Sequence, residues 1–417
     1  MRPPMERPLA LPEQRERAVV LLIAAVQFIN ILDFVMVMPM GPDFASALGI
    51  PASNLGMIGG SYTAAAAVSG LAGSFFLDRF DRRQALGAAM LGLVAGTALG
   101  GFATGLPSLM AARIVAGFFG GPATSVAFSI IADVVPAQRR GTAMGKVMGA
   151  FSIASVLGVP AGLELARHFG WRAPFFAVAG LGLVIAAASV FLLPPMRGHL
   201  EVAAGQARKE PVPLRHLIAQ RNVLLSWAMT FVVMAGGFVL IPNMSAYVQY
   251  NLGYPRAHLG LLYLCGGVVS FIATQTAGPL VDRFGSFRVG SAGTLLLLVA
   301  VGGGFIIAPP LFPVLGIFAG VMLALGFRNV AYNTLTSKVP RGDERARFMS
   351  IQSSVQHGAS AAGAFGSSLM LTELPGGALV GMARVGLTSI ALTLVLPVFL
   401  FAVESSVRSR QAAPAPG

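Results

Sequence analysis

The stretch GSFFLDRFDRRQALG (residues 73–87) lies between two long apolar runs and places five charged residues within six positions. A second stretch, GPLVDRFGSFRVG (residues 278–290), repeats the Asp-Arg-Phe core at an offset of 204 residues, from Asp78 to Asp282. The same charged loop therefore occurs twice between apolar segments. This pattern predicts a chain built from two copies of one unit.

The composition indicates an integral membrane protein. The 417 residues are 55% hydrophobic and only 11% charged, whereas soluble proteins average about 25% charged residues. A net charge of +13 would suggest nucleic acid in a soluble protein, but basic residues retained on the cytoplasmic side of a membrane explain it better. The single Cys265 excludes an internal disulfide and a cysteine-based metal site.

Apolar runs long enough to cross a membrane, which takes about 20 residues, occur twelve times. We predict all-α spans at 18–40, 54–77, 84–104, 107–132, 142–165, 173–194, 222–245, 257–281, 289–308, 311–336, 348–372 and 379–403. The first run is too long for the apolar region of a signal peptide, so we interpret it as an uncleaved helix.

The distribution of basic residues predicts the orientation. With a cytoplasmic N-terminus and twelve alternating spans, 22 of the 29 Lys and Arg residues fall in cytoplasmic segments and four in outer segments. The positive-inside rule favours this topology. We therefore expect a multi-pass protein with both termini in the cytoplasm. Because the sequence shows no organellar targeting signal, we expect the membrane to be the bacterial inner membrane.

The internal repeat extends beyond the two loops. Val135-Pro136 matches Val339-Pro340 at the same offset of 204 residues. Two halves of six helices each then have the same orientation, an arrangement typical of one large transporter class. The predicted organisation is an N-terminal half, a cytoplasmic linker, a C-terminal half and a cytoplasmic tail, at 1–194, 195–221, 222–404 and 405–417.

Several motifs resemble those of the major facilitator superfamily. SFFLDRFDRR and GPLVDRFGSF are similar to its loop signature G-x-L-x-D-R-x-G-R-R, and LMAARIVAGFFGG carries its R-x-x-x-G as Arg113 and Gly117. The resemblance covers the whole chain. It implies the major facilitator fold with twelve transmembrane helices, a monomer, and a small-molecule substrate carried across the lipid bilayer.

Two further stretches resemble the drug/proton antiporter branch of that family. ASVLGVPAG is similar to its Gly-Pro antiporter motif, and HFGWRAPF resembles the entry into its sixth helix. The matching antiporter positions are Gly158, Pro160 and Gly162. The loops also depart from the family pattern, because the first has Asp81 where the family has Gly and the second has Ser286-Phe287 in place of the basic pair.

The resemblance also implies a role for the charged loops. In the family, the loop Asp faces the start of helix 11 and the Arg four residues later pairs with a carboxylate at the end of helix 4. Carried over, Asp78 faces span 11 and Arg82 reaches Asp133, and such contacts form a cytoplasmic latch between the halves. The latch residues are Asp78, Arg79, Arg82, Asp133, Asp282 and Arg283. The alternative is that the charges only anchor helix ends among lipid headgroups.

Asp33 is the acidic residue that lies deep within a predicted span. A carboxylate at that depth costs about 2.5–3.5 kcal/mol on insertion scales, so functional roles are expected for such residues. Arg113 lies at a similar depth, about 10 Å below the outer surface, and could pair with it. We expect Asp33 to carry a coupled proton and Arg113 to sense its charge, the alternative being a structural hydrogen-bonded Asp.

Other polar residues within the spans are candidates for substrate binding. Gln27 and Asn30 precede Asp33 at three-residue spacing, which places all three on one helix face. Arg328 lies near mid-bilayer, where it could bind a substrate anion or, alternatively, backbone carbonyls. The remaining candidates are Asn329, Tyr332, Asn333, Gln352, Gln356 and His357; for His357, a packing role is the alternative.

Together these features predict a secondary transporter that exports a small amphipathic compound in exchange for protons. An importer or uniporter of a small organic anion remains the alternative, since two deep Arg accompany one deep Asp. The sequence contains no H-E-x-x-H and no P-loop pattern. We therefore expect no enzyme activity, no metal, no cofactor and no nucleic-acid partner, while a receptor or channel stays open.

Overall fold

The computed structural model describes residues 12–196, 214–340 and 344–412. Most of the predicted linker, both chain ends and the side chain of Asp78 lie outside this description. The first half contains α1 Glu13–Val37, α2 Gly41–Leu48, α3 Leu55–Phe76, α4 Arg82–Gly101, α5 Leu106–Val134, α6 Ala137–Ile153, α7 Val159–Phe169 and α8 Ala173–Leu192.

The second half begins with the short helix α9 Leu214–Ile218. It continues with α10 Arg221–Phe238, α11 Met244–Ala246, α12 Leu259–Phe284, α13 Ser286–Val301, α14 Val314–Thr336, α15 Arg345–Met370 and α16 Met382–Ala412. A two-stranded antiparallel hairpin, β1 Thr372–Glu373 with β2 Leu379–Val380, connects α15 to α16.

Twelve helical segments correspond to the twelve predicted spans, and within the described ranges eleven of them are apolar and long enough to cross a membrane by composition alone. The remaining one is α15, whose 26 residues would extend about 39 Å. Its polar side chains, among them Gln352, Gln356 and His357, lower its hydropathy. The all-helical, two-half architecture predicted from the repeat is confirmed.

The structure adds local detail that the apolar runs did not predict. The first span ends at Val37 rather than at residue 40, and the separate short helix α2 follows it. Three spans contain π-helical turns, at Ala154–Gly158, Tyr247–Asn251 and Gly302–Ile306. Such turns commonly mark functional positions in a helix.

The two halves meet along α3 and α15, which approach each other most closely near the start of α3. A Cβ atom on Gly56 would overlap the main-chain oxygen of Ala364, and one on Gly60 would lie 3.1 Å from the Phe365 ring. Further along α3, a Cβ atom on Gly70 would lie 3.8 Å from Ser354 Oγ. Among these three glycines, the closest approach of the two helices is therefore at Gly56.

Polar contacts between the halves close the end of the bundle that lies opposite the chain termini. Arg256 Nε and Nη2 lie 2.6 and 2.7 Å from the Asp43 carboxylate oxygens, and Nη2 also donates to the Leu163 main-chain oxygen at 2.9 Å. The Ala52 N–H donates to the carboxylate of Glu373. These contacts join the two halves at this end of the bundle.

We expect Asp43→Asn to loosen the closed end, because it removes the charge that holds Arg256 across the seam. Loss of one partly exposed charged pair costs about 1–2 kcal/mol, which changes the ratio of closed to open molecules about 5- to 30-fold. Spin labels on S46C and A257C, in a C265S background, would report the distance across this end.

The matched control is Arg167→Gln, which breaks an ion pair with Glu164 inside one half at the same end. The control should keep the narrow distance distribution of the native chain. An unchanged distribution in Asp43→Asn would show that the Asp43–Arg256 pair does not hold the halves together.

Candidate functional site

A buried ion pair joins α1 to α5. Arg113 Nη1 lies 2.9 Å from Asp33 Oδ1 and Nη2 lies 3.0 Å from Oδ2, so the contact is bidentate. Nη2 also lies 3.2 Å from the main-chain oxygen of Asp33. The side chains of Asp33 and Arg113 are 0% and 1% exposed. Two charges removed from water in this way remain stable only when the geometry of the pair is good.

Thr97 of α4 is a third partner of the carboxylate. Its Oγ1 lies 2.7 Å from Asp33 Oδ1 and 2.9 Å from the main-chain oxygen of Leu93. A hydroxyl has one hydrogen to donate and can also accept. Thr97 can therefore donate to an ionised Asp33, or donate to Leu93 and accept a hydrogen bond from a protonated Asp33. The site can satisfy both protonation states of the carboxyl group.

The Arg113 guanidinium lies over the ring of Tyr62 in α3. Arg113 Cζ lies 4.7 Å from the centre of the Tyr62 ring, a distance at which a cation interacts favourably with an aromatic face. The Tyr62 hydroxyl donates to Asn30 Oδ1 at 2.9 Å, and Asn30 Nδ2 in turn donates to the Gly120 carbonyl and to Thr124 Oγ1. One hydrogen-bonded network thus connects α1, α3 and α5.

An aromatic contact connects this network to the second half. The Phe34 ring stacks on Tyr62 with 5.1 Å between ring centres and on Phe238 of α10 with 5.9 Å. Phe34 follows Asp33 directly in α1. Two ring contacts therefore connect the helix that carries Asp33 to the seam between the halves.

The candidate residues of the second half do not form one comparable network within the described chain. Gln352 is 5% exposed, and its Nε2 donates to Thr230 Oγ1 at 2.5 Å. Nδ1 of His357 lies 2.9 Å from the Ser353 main-chain oxygen. Among the remaining candidates, Tyr332 is buried, Asn329 and Gln356 are half-buried, and Asn333 is exposed. In the first half Gln27 is 4% exposed, next to the network but outside it.

Arg328 is enclosed without a charged partner among the residues that the structure describes. It is 0% exposed, and none of its three guanidinium nitrogens has a hydrogen-bond partner within those parts of the chain. Its side chain passes Gly293 of α13, where an added Cβ atom would lie 3.0 Å from Arg328 Cγ. A buried cation is costly unless it is paired. Arg328 therefore contrasts with Arg113, whose charge Asp33 balances.

The latch residues occupy the terminal end of the bundle. Arg82 Nε lies 2.5 Å from Asp133 Oδ2, but both residues belong to the first half, so this ion pair does not itself join the two halves. Arg79, Asp282 and Arg283 are exposed. Asp81, which departs from the family loop, caps α4 by accepting from the Arg83 N–H at 2.9 Å.

The antiporter-like stretch lies where α1 and α12 pack against the fifth span. Gly158 ends the π-helical turn, and a Cβ atom there would lie 2.7 Å from Leu32 Cδ1. Pro160 follows in the first turn of α7. Gly162 faces Met36, since a Cβ atom on this glycine would lie 3.9 Å from Met36 Cβ. The stretch thus packs directly against the helix that carries Asp33.

Sequence reasoning missed Thr97, Tyr62 and Thr124 as members of the network. Each is a hydroxyl-bearing residue within an otherwise apolar span, a weak signal that many structural residues share. Their role depends on which helix face meets α1, and a single sequence does not give the rotation of helices about their axes. Within the described ranges, no group of three or more His, Cys, Asp or Glu side chains could hold a metal ion.

The chain belongs to the Major Facilitator Superfamily, whose family model matches residues 23–364 and 226–415. A chloramphenicol resistance protein of Streptomyces lividans is 29% identical over 278 residues, which cover 67% of this chain and 70% of that protein. The uncharacterized MFS-type transporter YtbD of Bacillus subtilis (strain 168) is 24% identical over 242 residues, covering 58% and 60%. The protein is a multi-pass membrane transporter of small molecules and not an enzyme.

Solved structures share the fold. A bacterial homologue of the human lysosomal transporter Spinster, in an inward-facing and unoccupied conformation, superposes with a TM-score of 0.70 at 16% identity, covering 98% of this chain and 100% of that one. A D-xylose-proton symporter gives a TM-score of 0.70 at 18% identity, covering 92% and 98%. At these identities the likeness describes the architecture alone.

We expect the charges of Asp33 and Arg113 to depend on each other for stability. Asp33→Asn or Arg113→Gln alone leaves one buried charge unpaired and should lower the free energy of unfolding by about 3–5 kcal/mol. The double variant should lose much less than the sum of the two, because both charges are then absent. Thermal unfolding of the four proteins in one detergent measures this, and additive losses would contradict the coupling.

Proposed function

We propose that the protein exports a small amphipathic compound in exchange for protons, by alternating access between its two halves. The observation that carries this proposal is the buried Asp33–Arg113 pair, whose third partner Thr97 can hydrogen-bond to either protonation state of the carboxyl group. A carboxyl group that takes up and releases a proton at this depth is the element that coupled transport requires.

Protonation of Asp33 would change which contacts hold Arg113 in place. A neutral Asp33 no longer attracts Arg113, which keeps the Tyr62 ring and the Asp33 main-chain oxygen as partners. Tyr62 and Phe34 can then shift together against Phe238 at the seam. Two conformations that differ by a few kcal/mol exchange their populations when one such interaction changes.

The proposed orientation places both termini in the cytoplasm of a bacterial cell and the protein, as a monomer, in the inner membrane. It rests on the 22 of 29 basic residues in the segments on the terminal side. In this orientation the Asp43–Arg256 end faces outwards. A substrate would enter from the cytoplasm, and protons would enter from outside after the closed end opens.

Two observations support export as the direction. The Gly158–Gly162 stretch resembles the antiporter motif and packs against the helix that carries Asp33. A relative that is 29% identical over two thirds of the chain is a chloramphenicol resistance protein. Resistance by a membrane transporter is most simply achieved by removing the compound from the cell.

A second candidate function is import or facilitated uptake of a small organic anion. The enclosed guanidinium of Arg328, without a partner in the described chain, favours it. A substrate carboxylate that reached Arg328 would supply the missing negative charge. The half-buried Asn329 and Gln356 would supply hydrogen bonds to the rest of such a substrate.

Accumulation of a panel of fluorescent amphipathic compounds in energised cells tests the proposed export. We expect cells with the native protein to accumulate less of at least one compound than cells with Asp33→Asn, and a protonophore to abolish the difference. No difference across the panel would contradict export of such compounds. A panel of organic anions with Arg328→Gln would then test the second function.

Substrate exchange across the membrane of reconstituted vesicles distinguishes a loss of proton coupling from a loss of substrate binding. Asp33→Asn should still exchange labelled for unlabelled substrate across the membrane, because exchange needs no net proton movement. It should fail to accumulate substrate against its gradient when a proton gradient is imposed. Uphill transport by Asp33→Asn at the native rate would show that another group carries the proton.

A further inference from the structure

The side chain of Arg328 points into the interior of the second half. Three residues earlier in α14, Leu325 Cδ2 lies 3.7 Å from where a Cβ atom on Gly237 of α10 would be. Three residues later, Ala331 Cβ lies 3.2 Å from where a Cβ atom on Gly290 of α13 would be. On the surface of a helix, Arg328 lies between these two positions. Its guanidinium therefore points between α10 and α13, and α16 packs against both of these helices.

The second half has no carboxylate within its spans to pair with this cation. The acidic residues that follow residue 221 all lie outside the six predicted spans of this half: Asp282, Asp343, Glu344, Glu373 and Glu404. Arg328, in contrast, lies eight residues before the end of α14 at Thr336, about 12 Å inside the helix. None of its guanidinium nitrogens has a hydrogen-bond partner among the described residues.

The corresponding position of the first half is neutral. At the repeat offset of 204 residues, Arg328 corresponds to Thr124 and Met234 to Asn30. In the first half, Asn30 Nδ2 donates to Thr124 Oγ1 at 2.6 Å. In the second half, Met234 and its neighbour Val233 are buried, and neither side chain offers an oxygen to the guanidinium. The second half thus has a buried cation where the first half has a neutral hydrogen-bonded pair.

Two buried hydroxyl groups on the neighbouring helices are also without a partner in the described parts of the chain. Thr294, which follows Gly293 in α13, is 4% exposed, and Thr393 of α16 is 0% exposed. Neither Oγ1 atom has a hydrogen-bond partner among the described residues. A threonine within a helix can donate to a main-chain oxygen one turn earlier, as Thr97 does. The hydroxyl hydrogens of Thr294 and Thr393 remain available to another acceptor.

The Thr393 hydroxyl lies at the height of the guanidinium along the bundle. Ala331 and Leu400 both lie beside Gly290, so they mark one level in α14 and α16. Thr393 is two turns before Leu400 on the same face of α16, about 10 Å from that level. Arg328 begins about 5 Å from it in the same direction. Helical side chains lean towards the start of their helix, which brings the guanidinium nearer to Thr393.

We propose that Arg328, Thr294 and Thr393 bind a small inorganic anion of the class of chloride inside the second half. The guanidinium supplies a positive charge and N–H donors, and the two hydroxyl groups donate from α13 and α16. The bound anion balances a charge that is costly to bury unpaired. Because packed helices enclose the site, an ion of one or a few atoms fits it better than an extended organic anion. The site is separate from the Asp33–Arg113 pair and does not rest on export.

Thermal unfolding of the full-length protein in one detergent tests the proposal, with chloride replaced by gluconate at constant ionic strength. We expect chloride and bromide to raise the unfolding temperature of the native chain saturably, since a ligand that binds the folded state stabilises it. R328Q should unfold at the same temperature in both salts. T294V/T393V should weaken the apparent chloride affinity at least about tenfold, because hydrogen bonds to a charged ion are lost.

The matched control is R384Q, which removes an exposed arginine of the same half and should keep the native dependence on chloride. An equal rise of the unfolding temperature in chloride and gluconate would be a general effect of salt and would overturn the proposal. A rise with acetate or benzoate that chloride does not produce would assign Arg328 to a carboxylate, as the second candidate function requires, and would overturn the inorganic anion.

Diffraction from crystals of the native chain grown in bromide tests the site without any variant, in case R328Q fails to fold. We expect an anomalous scattering peak beside the Arg328 guanidinium. Crystals that show bromide elsewhere but only water beside Arg328 would contradict the proposal. Neither measurement depends on Asp33, so its failure leaves the proposed proton exchange to be tested separately.

Discussion

The ion pair between Asp33 and Arg113 is the interaction on which the rest of the first half depends. Two charges removed from water are tolerated only when their partners are in place. Tyr62 can lie over Arg113 because Gly117 and Gly120 let α3 approach α5 closely: a Cβ atom on Gly117 would overlap the Tyr62 main chain, and one on Gly120 its hydroxyl. Small residues in apolar helices therefore serve here to position polar ones.

The two halves share one architecture but differ in their buried charges. The first half encloses a neutral pair with hydrogen bonds on three helices, whereas the second encloses Arg328 with no partner in the described chain. The same asymmetry recurs at the terminal end, where Asp81 and Asp133 correspond to Gly285 and Ser337. The repeated halves therefore share a fold while their buried charges differ.

The large-scale fold could be predicted because membrane insertion imposes strong constraints on sequence. Long apolar runs, basic loops and an internal repeat led to twelve helices in two halves. The span at 348–372 was predicted as well, although among the described spans its helix α15 is the one that falls short by composition, because it carries polar side chains such as Gln352, Gln356 and His357. Equal depth also suggested that Asp33 could meet Arg113. The depth of a residue in the membrane follows from counting residues along its helix, so it can be predicted from a single sequence.

Contacts that depend on helix rotation and tilt could not be predicted. Whether Thr97 faces Asp33, and whether Tyr62 covers Arg113, depends on how α3 and α4 are turned about their axes. The close approach of α3 and α15 at Gly56 depends likewise on how the two halves are tilted. The resemblance alone did not give the partners of the latch residues across the halves. The Arg82–Asp133 contact lies within the first half.

We propose that Asp33 exchanges a proton as the transporter changes conformation. Infrared difference spectroscopy of the purified protein, recorded between neutral and acidic solution, detects the stretching band of a buried protonated carboxyl group directly. We expect such a band in the native protein, its loss in Asp33→Asn, and a shift in its frequency in Thr97→Val, where one hydrogen-bond partner is removed. A band that persists unchanged in Asp33→Asn would show that another carboxyl group carries the proton.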